Sequence, residues 1–352
     1  MIKFIPCKSE DLKGDHIVLS KLFSFSWARI FAVIGARDYG KTFGFKKVLI
    51  EDFIYDGKTF NVVRDTQTAC DEIAANGGLK FFGDVFTFVK KFAKHNYDVA
   101  NYKIKIDGKH AGEIMPLEAF YKYKGNYYDS QNILFDEFIA EKQQQYRGNR
   151  ARSFVNTLET ISRSRTNSRV FLTANALELG NDILELLDIH IKNGQYGYYI
   201  NTDKKVVVFY APDSPGFIER RKDSIAATIT KGTFLDANFN NNMFDDNDCV
   251  IFEKRPPCNL YGIYYSPEGE AVRLYKANNG NEYYACKDIN PNSYGYMRYV
   301  FKISQVGANR TYAPDTVRKF LSRLLELKQV KFESRFIFGV YCAICQKTLK
   351  KH

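Results

Sequence analysis

One segment near the start of the sequence carries the spacing of a phosphate-binding loop. Residues 35–42 match the pattern G-x-x-x-x-G-K-T at every fixed position. Glycines let the backbone wrap closely around phosphate groups, with N–H groups pointing inward and a helix N-terminus behind them. In such a loop Lys41 would reach the β- and γ-phosphates, and the Thr42 hydroxyl would coordinate Mg²⁺. The sequence therefore predicts a site for ATP and Mg²⁺ here. We call this segment the glycine loop; its residues are Gly35, Ala36, Arg37, Asp38, Tyr39, Gly40, Lys41 and Thr42.

A pair of carboxylates ends a second apolar segment. Residues 132–135 predict a buried strand, and Asp136 and Glu137 follow directly. In an ATP site, Asp136 would hold Mg²⁺ through its water shell, and Glu137 would orient and deprotonate the attacking water. Acidic pairs also occur in solvated loops, but the position of this pair, on a strand that follows the glycine loop, favours the catalytic interpretation.

An asparagine follows the strand predicted at residues 169–173. At the tip of that strand, Asn175 could contact the γ-phosphate or the attacking water and report hydrolysis. Asparagine is also a favoured helix cap, and residues 176–179 could begin a helix. Both roles stay open, and they do not exclude each other.

Three arginines lie close together in residues 163–169. A solvated turn or a nucleic-acid contact is the simpler interpretation, and the residues alone favour it. The alternative is that one arginine crosses a subunit interface to neutralise charge on a neighbour's ATP.

The first 200 residues alternate between the patterns of strands and helices. The sequence predicts the following elements: strands at 28–34, 59–63, 132–135 and 169–173, a hairpin through 102–115, and helices at 41–53, 81–92 and 154–161. Such alternation predicts an α/β fold with a doubly wound, mostly parallel sheet.

The pattern changes after about residue 200. Residues 201–245 are polar and irregular, with a short helix expected near 218–224, and we interpret them as a linker. Residues 246–352 contain tyrosine-rich strands, a helix around 317–325 and a last strand near 336–344, which predicts a smaller α+β domain. The expected domains are therefore 1–200, 201–245 and 246–352.

The composition favours a polyanionic partner. Lys and Arg total 51 against 40 Asp and Glu, a net charge of +11. Nucleic acid and an anionic membrane both fit this charge, and many basic proteins bind neither. No apolar run approaches the roughly 20 residues of a membrane span. The first residues also lack the apolar stretch of a signal peptide, so we expect no membrane association and a cytoplasmic protein.

The 7 cysteines are odd in number and mostly scattered, which predicts reduced thiols. Only Cys342 and Cys345 form a close pair. They lie in an apolar run without a second pair to complete a zinc site, so they are expected to be buried strand residues.

Several segments together resemble the packaging ATPases of phi29-like tailed phages. These segments are 31–37 with 40–41, 106–117, 135–142, 163–165 with 174–176, and 251–255. The resemblance implies a P-loop ATPase of the ASCE type, related to terminase large subunits. It further implies a ring, usually a homopentamer, that docks on the portal of a viral prohead and drives double-stranded DNA inside. Such a protein would work in the host cytoplasm, transiently docked on the prohead.

The resemblance also assigns individual residues. It makes Arg163 the arginine finger supplied to the neighbouring subunit, with Arg165 as the alternative. A lysine before the acidic strand, for which Lys124 is the nearest match, would contribute to the ATP site. Arg64 matches the first residue of a basic pair, but Asp65 follows it, so Arg64 is given no role beyond a structural one.

In that family the C-terminal domain resembles an RNase H-like nuclease without its metal-binding acids, and it docks the motor partly through a packaging RNA. Residues 260–265 of this chain contain no Asp. Because a two-metal nuclease needs carboxylates there, we expect no nuclease activity. The residues leave open whether this chain uses an RNA scaffold.

Two other functions are compatible with the same motifs. An ATP-dependent helicase or loader would have the same ATP site. A non-catalytic, nucleotide-gated assembly or RNA-binding protein would bind ATP without turnover, but Glu137 beside Asp136 argues against it.

Overall fold

The computed structural model describes most of the chain in two units. The described residues are 2–13, 16–36, 39–118, 130–139, 150–162, 165–175, 181–192, 194–222, 224–230, 251–252, 254–267, 269–278, 280–288 and 298–345. One unit comprises Met1–Glu178 with Leu186–Asp245, and the other comprises Leu179–Glu185 with Asp246–His352. None of the helices in these ranges has both the length and the apolar character needed to cross a bilayer.

A ten-stranded mixed sheet forms the centre of the first unit. Its strands are β1 (Ile2–Pro6), β4 (Ile30–Gly35), β5 (Phe60–Arg64), β6 (Tyr97–Ala100), β7 (Lys103–Ile106), β8 (Lys109–Pro116), β9 (Asn132–Asp136), β10 (Arg169–Asn175), β11 (Gly197–Asn201) and β12 (Val206–Tyr210); β2 (Leu12–Lys13) and β3 (His16–Ile17) form a separate ribbon. The order is β1-β11-β12-β4-β10-β9-β5-β8-β7-β6. Every neighbouring pair from β12 to β8 is parallel, and the outer pairs are antiparallel.

Helices pack on both faces of this sheet. The α-helices of the first unit are α1 (Ser20–Ser24), α2 (Lys41–Asp56), α3 (Gln67–Ala74), α4 (Leu79–Phe88), α5 (Arg150–Ser162), α7 (Pro215–Lys222) and α8 (Ile225–Thr230) in the described residues, whereas most of α6 (Asp182–Leu186) belongs to the second unit. Successive strand residues point to opposite faces. On β9, Leu134 belongs to the apolar cluster that contains Phe45 of α2, whereas Phe135 stacks 5.9 Å from Phe154 of α5. The predicted α/β fold with helices on both faces is therefore present, with antiparallel strands added at both sides.

The linker predicted at 201–245 is wrong in its first part. Residues 206–210 form β12, which is fully buried beside β4 in the sheet. The run Val-Val-Val-Phe-Tyr carried the signal of a buried strand, but the polar residues and prolines around it masked the pattern. The predicted short helix corresponds to α7.

The second unit has its own six-stranded sheet, in the order β17-β16-β13-β14-β15-β18. Its strands are β13 (Cys258–Tyr265), β14 (Ala271–Ala277), β15 (Tyr283–Lys287), β16 (Arg298–Val300), β17 (Thr311–Tyr312) and β18 (Val330–Phe332), and its C-terminal helices are α9 (Asp315–Glu326) and α10 (Arg335–Cys345). Strands β13, β14 and β15 form an antiparallel meander, and β16 is parallel to β13. Leu321 and Leu324 of α9 lie in the core with Val272 and Leu274 of β14.

The last strand predicted near 336–344 is instead the helix α10. Ile337, Val340, Tyr341 and Ile344 are its buried residues, with the three- and four-residue spacing of a helix face. The half-buried face is also apolar, so the sequence is a continuous apolar run, which is the pattern of a buried strand as well. Cys342 and Cys345 are consequently half-buried helix residues, and neither is part of a disulfide.

A close backbone contact between β5 and β8 depends on Gly112. A Cβ built at this position would lie 1.5 Å from the Phe60 carbonyl oxygen. We expect Gly112→Ala to lower the free energy of unfolding by about 3 kcal/mol, because rigid backbone would have to move. Calorimetric unfolding checks this. Gly307→Ala is the control, since an added Cβ there meets nothing within 4 Å; equal effects would contradict the argument.

Candidate functional site

The parallel register brings the predicted site residues to one edge of the sheet. Asn175 is paired with Gly35, and Thr173 with Asp136, where β10 runs between β4 and β9. In open α/β sheets, ligands bind outside the carboxyl ends of the parallel strands. The glycine loop, the acidic pair and Asn175 therefore meet where a ligand is expected.

The glycine loop connects buried strand β4 to α2. Gly40 has a φ of 80°, a left-handed conformation that glycine adopts without strain, and α2 begins at the next residue. Tyr39 is fully buried, with its ring 4.9 Å from that of Phe217. Burial raises the pKa of the Tyr39 hydroxyl, so it stays protonated at neutral pH. Arg37 and Asp38 lie outside the described residues.

Lys41 is buried at the start of α2, with 6% of its surface exposed. Its Nζ donates to the Gly35 carbonyl oxygen at 3.1 Å, to that of Ala36, and to Asn175 Oδ1 at 3.2 Å. A buried ammonium needs such partners. These neutral oxygens hold it over the glycine loop, where it could exchange them for phosphate oxygens.

Asp136 joins three elements through its two carboxylate oxygens. Oδ1 accepts from the Thr42 hydroxyl at 2.7 Å and from the Thr173 hydroxyl at 2.5 Å. Oδ2 accepts from Arg64 Nη1 at 2.5 Å. The buried carboxylate thus connects the start of α2, the end of β10 and the end of β5.

Glu137 is far more exposed than Asp136. Its φ of 58° is uncommon for a residue with a side chain, and it turns the backbone sharply after β9. Its N–H donates to Thr173 Oγ1 at 3.3 Å. The side chain is 44% exposed and accepts from Arg64 Nη2 at 2.6 Å. One acid of the pair is therefore buried among hydroxyls, and the other faces solvent.

Sequence reasoning gave Arg64 no part in this site, yet its guanidinium binds both acids. The reason is the strand order. Strand β5 lies beside β9, and Val63 is paired with Phe135, so the residues that follow, Arg64 and Asp136, are neighbours at the sheet edge. A basic residue at the end of an apolar strand was the available signal, but the sequence does not give the strand order that makes it meaningful.

Arg165 and Arg169 of the arginine run lie at the opposite end of the strands. Arg165 Nη1 donates to the Ser130 carbonyl oxygen at 3.5 Å, ahead of β9, and Arg169 at the start of β10 pairs with Asp52. Residues 130 to 136 of an extended chain span about 20 Å. Arg165 therefore cannot reach Asp136 of its own chain. Arg163 and Lys124 lie outside the described residues.

The helix-cap alternative for Asn175 concerns residues 176–180, which the structure does not describe. Helix α6 begins beyond them and has its own cap, since Asn181 Oδ1 accepts from the N–H groups of Ile183 and Leu184 at 2.9 and 3.3 Å. Asn175 itself is the last residue of β10, and its Oδ1 accepts a hydrogen bond from Lys41 Nζ.

Fold and site together define the class: an α/β protein with a large mixed sheet, whose candidate site lies at the carboxyl ends of the parallel strands. A family model, described as podovirus DNA encapsidation protein (Gp16), matches residues 19–319. The chain belongs to this family.

Two relatives are DNA packaging proteins of Bacillus phages. The chain is 31% identical to that of phage B103 over 227 residues, 63% of this chain and 66% of the relative. It is 28% identical to that of phage phi29 over 225 residues, 63% and 64% of the two chains. These matches span slightly less than two thirds of each relative.

Two solved structures share the fold over nearly the whole chain. A chain of the phi29 viral genome packaging motor assembly has a TM-score of 0.66 at 20% identity, covering 94% of this chain and 99% of the other. A chain of the Phi-28 DNA packaging motor has a TM-score of 0.65 at 18% identity, with 97% and 100% covered. At these identities the likeness establishes the fold.

The Arg64 contacts lead to a stability prediction. We expect Arg64→Gln to lower the free energy of unfolding by about 3 kcal/mol, because the buried Asp136 loses its charged partner. Urea unfolding at neutral pH measures this. Lys58→Gln is the control: it breaks an exposed ion pair with Asp56 and should cost less than about 1 kcal/mol. Equal losses in the two variants would show that Arg64 does not neutralise a buried charge.

Proposed function

We propose that this protein is the ATPase of a viral DNA packaging motor and couples ATP hydrolysis to the movement of double-stranded DNA into a prohead. One observation carries the proposal. At one sheet edge, the Thr42 hydroxyl of the glycine loop donates to Asp136 at 2.7 Å, and Lys41 Nζ donates to Asn175 Oδ1 at 3.2 Å. Membership of a DNA encapsidation family supports the packaging part of the proposal.

The donor set fits ATP with Mg²⁺. Magnesium prefers hard oxygen ligands, and Thr42 Oγ1 and Asp136 Oδ1 are adjacent oxygens of this kind. When bound, the ion would neutralise charge on the β- and γ-phosphates. The residues of the glycine loop, Arg37 and Asp38 included, would hold the phosphates, with Lys41 on the terminal ones. Lys124 is proposed as a further contact by resemblance alone.

Glu137 is the proposed general base. Its exposed carboxylate can reach water, while its neighbour Asp136 stays buried beside Thr42. The carboxylate must leave Arg64 before it can accept a proton from water. Asn175 is proposed to respond to the γ-phosphate, and its bond from the Lys41 ammonium supports this role.

An arginine from the neighbouring subunit completes the proposed site. Because Arg165 lies at the far end of the strands, it can serve only a site in another subunit. We assign the finger to Arg163, with Arg165 as the alternative, which requires a ring, proposed as a homopentamer on the portal. Whether a packaging RNA also binds is left to experiment.

The second unit is proposed to be RNase H-like but inactive as a nuclease. Its strands β15-β14-β13-β16-β17, an antiparallel meander followed by parallel strands, have the order of that fold. The central strand β13 carries no Asp or Glu, and two-metal hydrolysis needs carboxylates to hold its ions.

The first test is ATP turnover with and without duplex DNA and purified proheads. We expect Lys41→Ala to reduce kcat by on the order of 10²–10³, because the terminal phosphates lose their cation. Lys47→Ala, exposed on the same helix, should leave turnover unchanged. Stimulation by duplex DNA without strand separation is expected, and unwinding of a forked duplex would favour a helicase instead.

The second test concerns the shared site. Lys41→Ala and Arg163→Ala should each be inactive alone, and mixing them should restore part of the activity. An Arg163→Ala subunit then has an intact ATP site next to an intact arginine from Lys41→Ala. ATP turnover of mixed rings, against unmixed controls, measures the recovery. If this mixture does not recover, and a mixture of Lys41→Ala with Arg165→Ala does not recover either, a finger supplied in trans would be contradicted.

DNA contacts of a packaging motor should be made to phosphates, because any sequence must pass. Such binding weakens steeply with salt and is similar for unrelated duplexes.

A further inference from the structure

Arg150, the first residue of α5, is a buried cation that the proposed reaction does not use. Its Nε and Nη2 donate to Asp65 Oδ1 at 3.1 and 2.9 Å, and Nη2 also donates to the Phe138 carbonyl oxygen at 2.6 Å. The Arg150 and Asp65 side chains are only 10% and 9% exposed. One guanidinium therefore fastens the start of α5 to two separate chain segments.

Those two segments lead directly into the acid site. Asp65 follows Arg64, and Phe138 follows Glu137, which are the two partners of the ion pair at the sheet edge. The Phe138 N–H also donates to the Thr173 carbonyl oxygen at 2.9 Å. A backbone shift at Arg64 or Glu137 would therefore reach Arg150 through Asp65 or through the Phe138 carbonyl oxygen.

Helix α5 can carry such a movement to the other end of the strands. It has 13 residues, which corresponds to a length of about 20 Å. Phe154, Thr157 and Ile161 are buried, so the helix is packed along its whole length. At its end, the Ser162 carbonyl oxygen accepts from the Arg165 N–H at 2.9 Å. The arginine run thus begins where α5 ends.

We propose that Arg150 is a positioning residue that links a subunit's own hydrolysis site to the arginine it offers to the next subunit. The inference rests on the proposed function, because it requires an arginine supplied in trans. When nucleotide rearranges the Arg64–Glu137 pair, Asp65 and Phe138 shift Arg150, and α5 transmits the shift to the run that follows Ser162. Hydrolysis in one subunit is thereby coupled to the next site in the ring.

A purely stabilising ion pair is the alternative. A buried ion pair adds little stability compared with well-packed apolar side chains, whereas removal of one partner lowers the stability strongly. Stability measurements alone therefore do not separate the two roles. The mixed-ring assay separates them, because it reads the subunit's own site and its donated arginine independently.

The test is the ATP turnover of rings that contain Arg150→Gln. We expect kcat of the pure variant to fall about 10- to 100-fold, as for misplaced catalytic groups, with unchanged affinity for an ATP analogue. Mixed with Arg163→Ala, whose own ATP site is intact, Arg150→Gln should give no recovery, because its arginine is not delivered. The Lys41→Ala and Arg163→Ala mixture, made in parallel, should recover.

Each other outcome overturns a defined statement. Recovery of the Arg150→Gln and Arg163→Ala mixture to the level of the parallel mixture would show that Arg150 serves only its own site, which overturns the inference. Wild-type turnover of pure Arg150→Gln would do the same. Failure of the Lys41→Ala and Arg163→Ala mixture would instead remove the shared site, and the inference with it.

Two further variants control for folding. Glu159→Gln removes a charge from an exposed position on the same helix and should behave as wild type in every mixture. If Arg150→Gln loses binding of the ATP analogue, Asp65→Asn carries the same test, since it removes the partner charge without changing α5. Recovery of Asp65→Asn with Arg163→Ala would likewise overturn the inference.

Discussion

The buried carboxylate of Asp136 is the interaction on which the candidate site depends. It accepts two hydroxyls on one oxygen and a guanidinium on the other. A buried carboxylate is tolerated only when such partners satisfy it. Because these partners come from α2, β10 and β5, the requirement fixes three elements at one point. The same carboxylate is the group that would face a bound metal ion, so the stability of this edge and its proposed chemistry depend on one side chain.

The acid site is continuous with elements that reach the other end of the sheet. Arg64 holds both acids, and Arg150 holds the residues next to Arg64 and Glu137. Helix α5 then crosses from the carboxyl ends of the strands toward their amino ends, where Arg165 lies. The acids and Arg165 therefore lie at opposite ends of one sheet. This arrangement is the reason for proposing that an arginine is supplied by a neighbouring subunit.

The sequence predicted those features that depend on local spacing. The glycine loop, the acid pair and the central strands of the sheet follow from residues close together in the chain, and the structure has strands and helices where those patterns placed them. Features that depend on strand order were missed. Arg64 joins the acids only because β5 lies beside β9, and β12 enters the sheet beside β4 although polar residues surround it in the sequence. The helix α10 was misread because apolar residues on its less buried side hid its period.

The most direct test of the central claim is the structure of the protein with a non-hydrolysable ATP analogue and Mg²⁺. The account predicts the phosphates in the glycine loop on Lys41, and the metal ion beside Thr42 Oγ1 and Asp136. It also predicts that Glu137 will have left Arg64 to face the terminal phosphate. A nucleotide bound elsewhere, or no binding at saturating concentration with the Asp136 contacts unchanged, would contradict it.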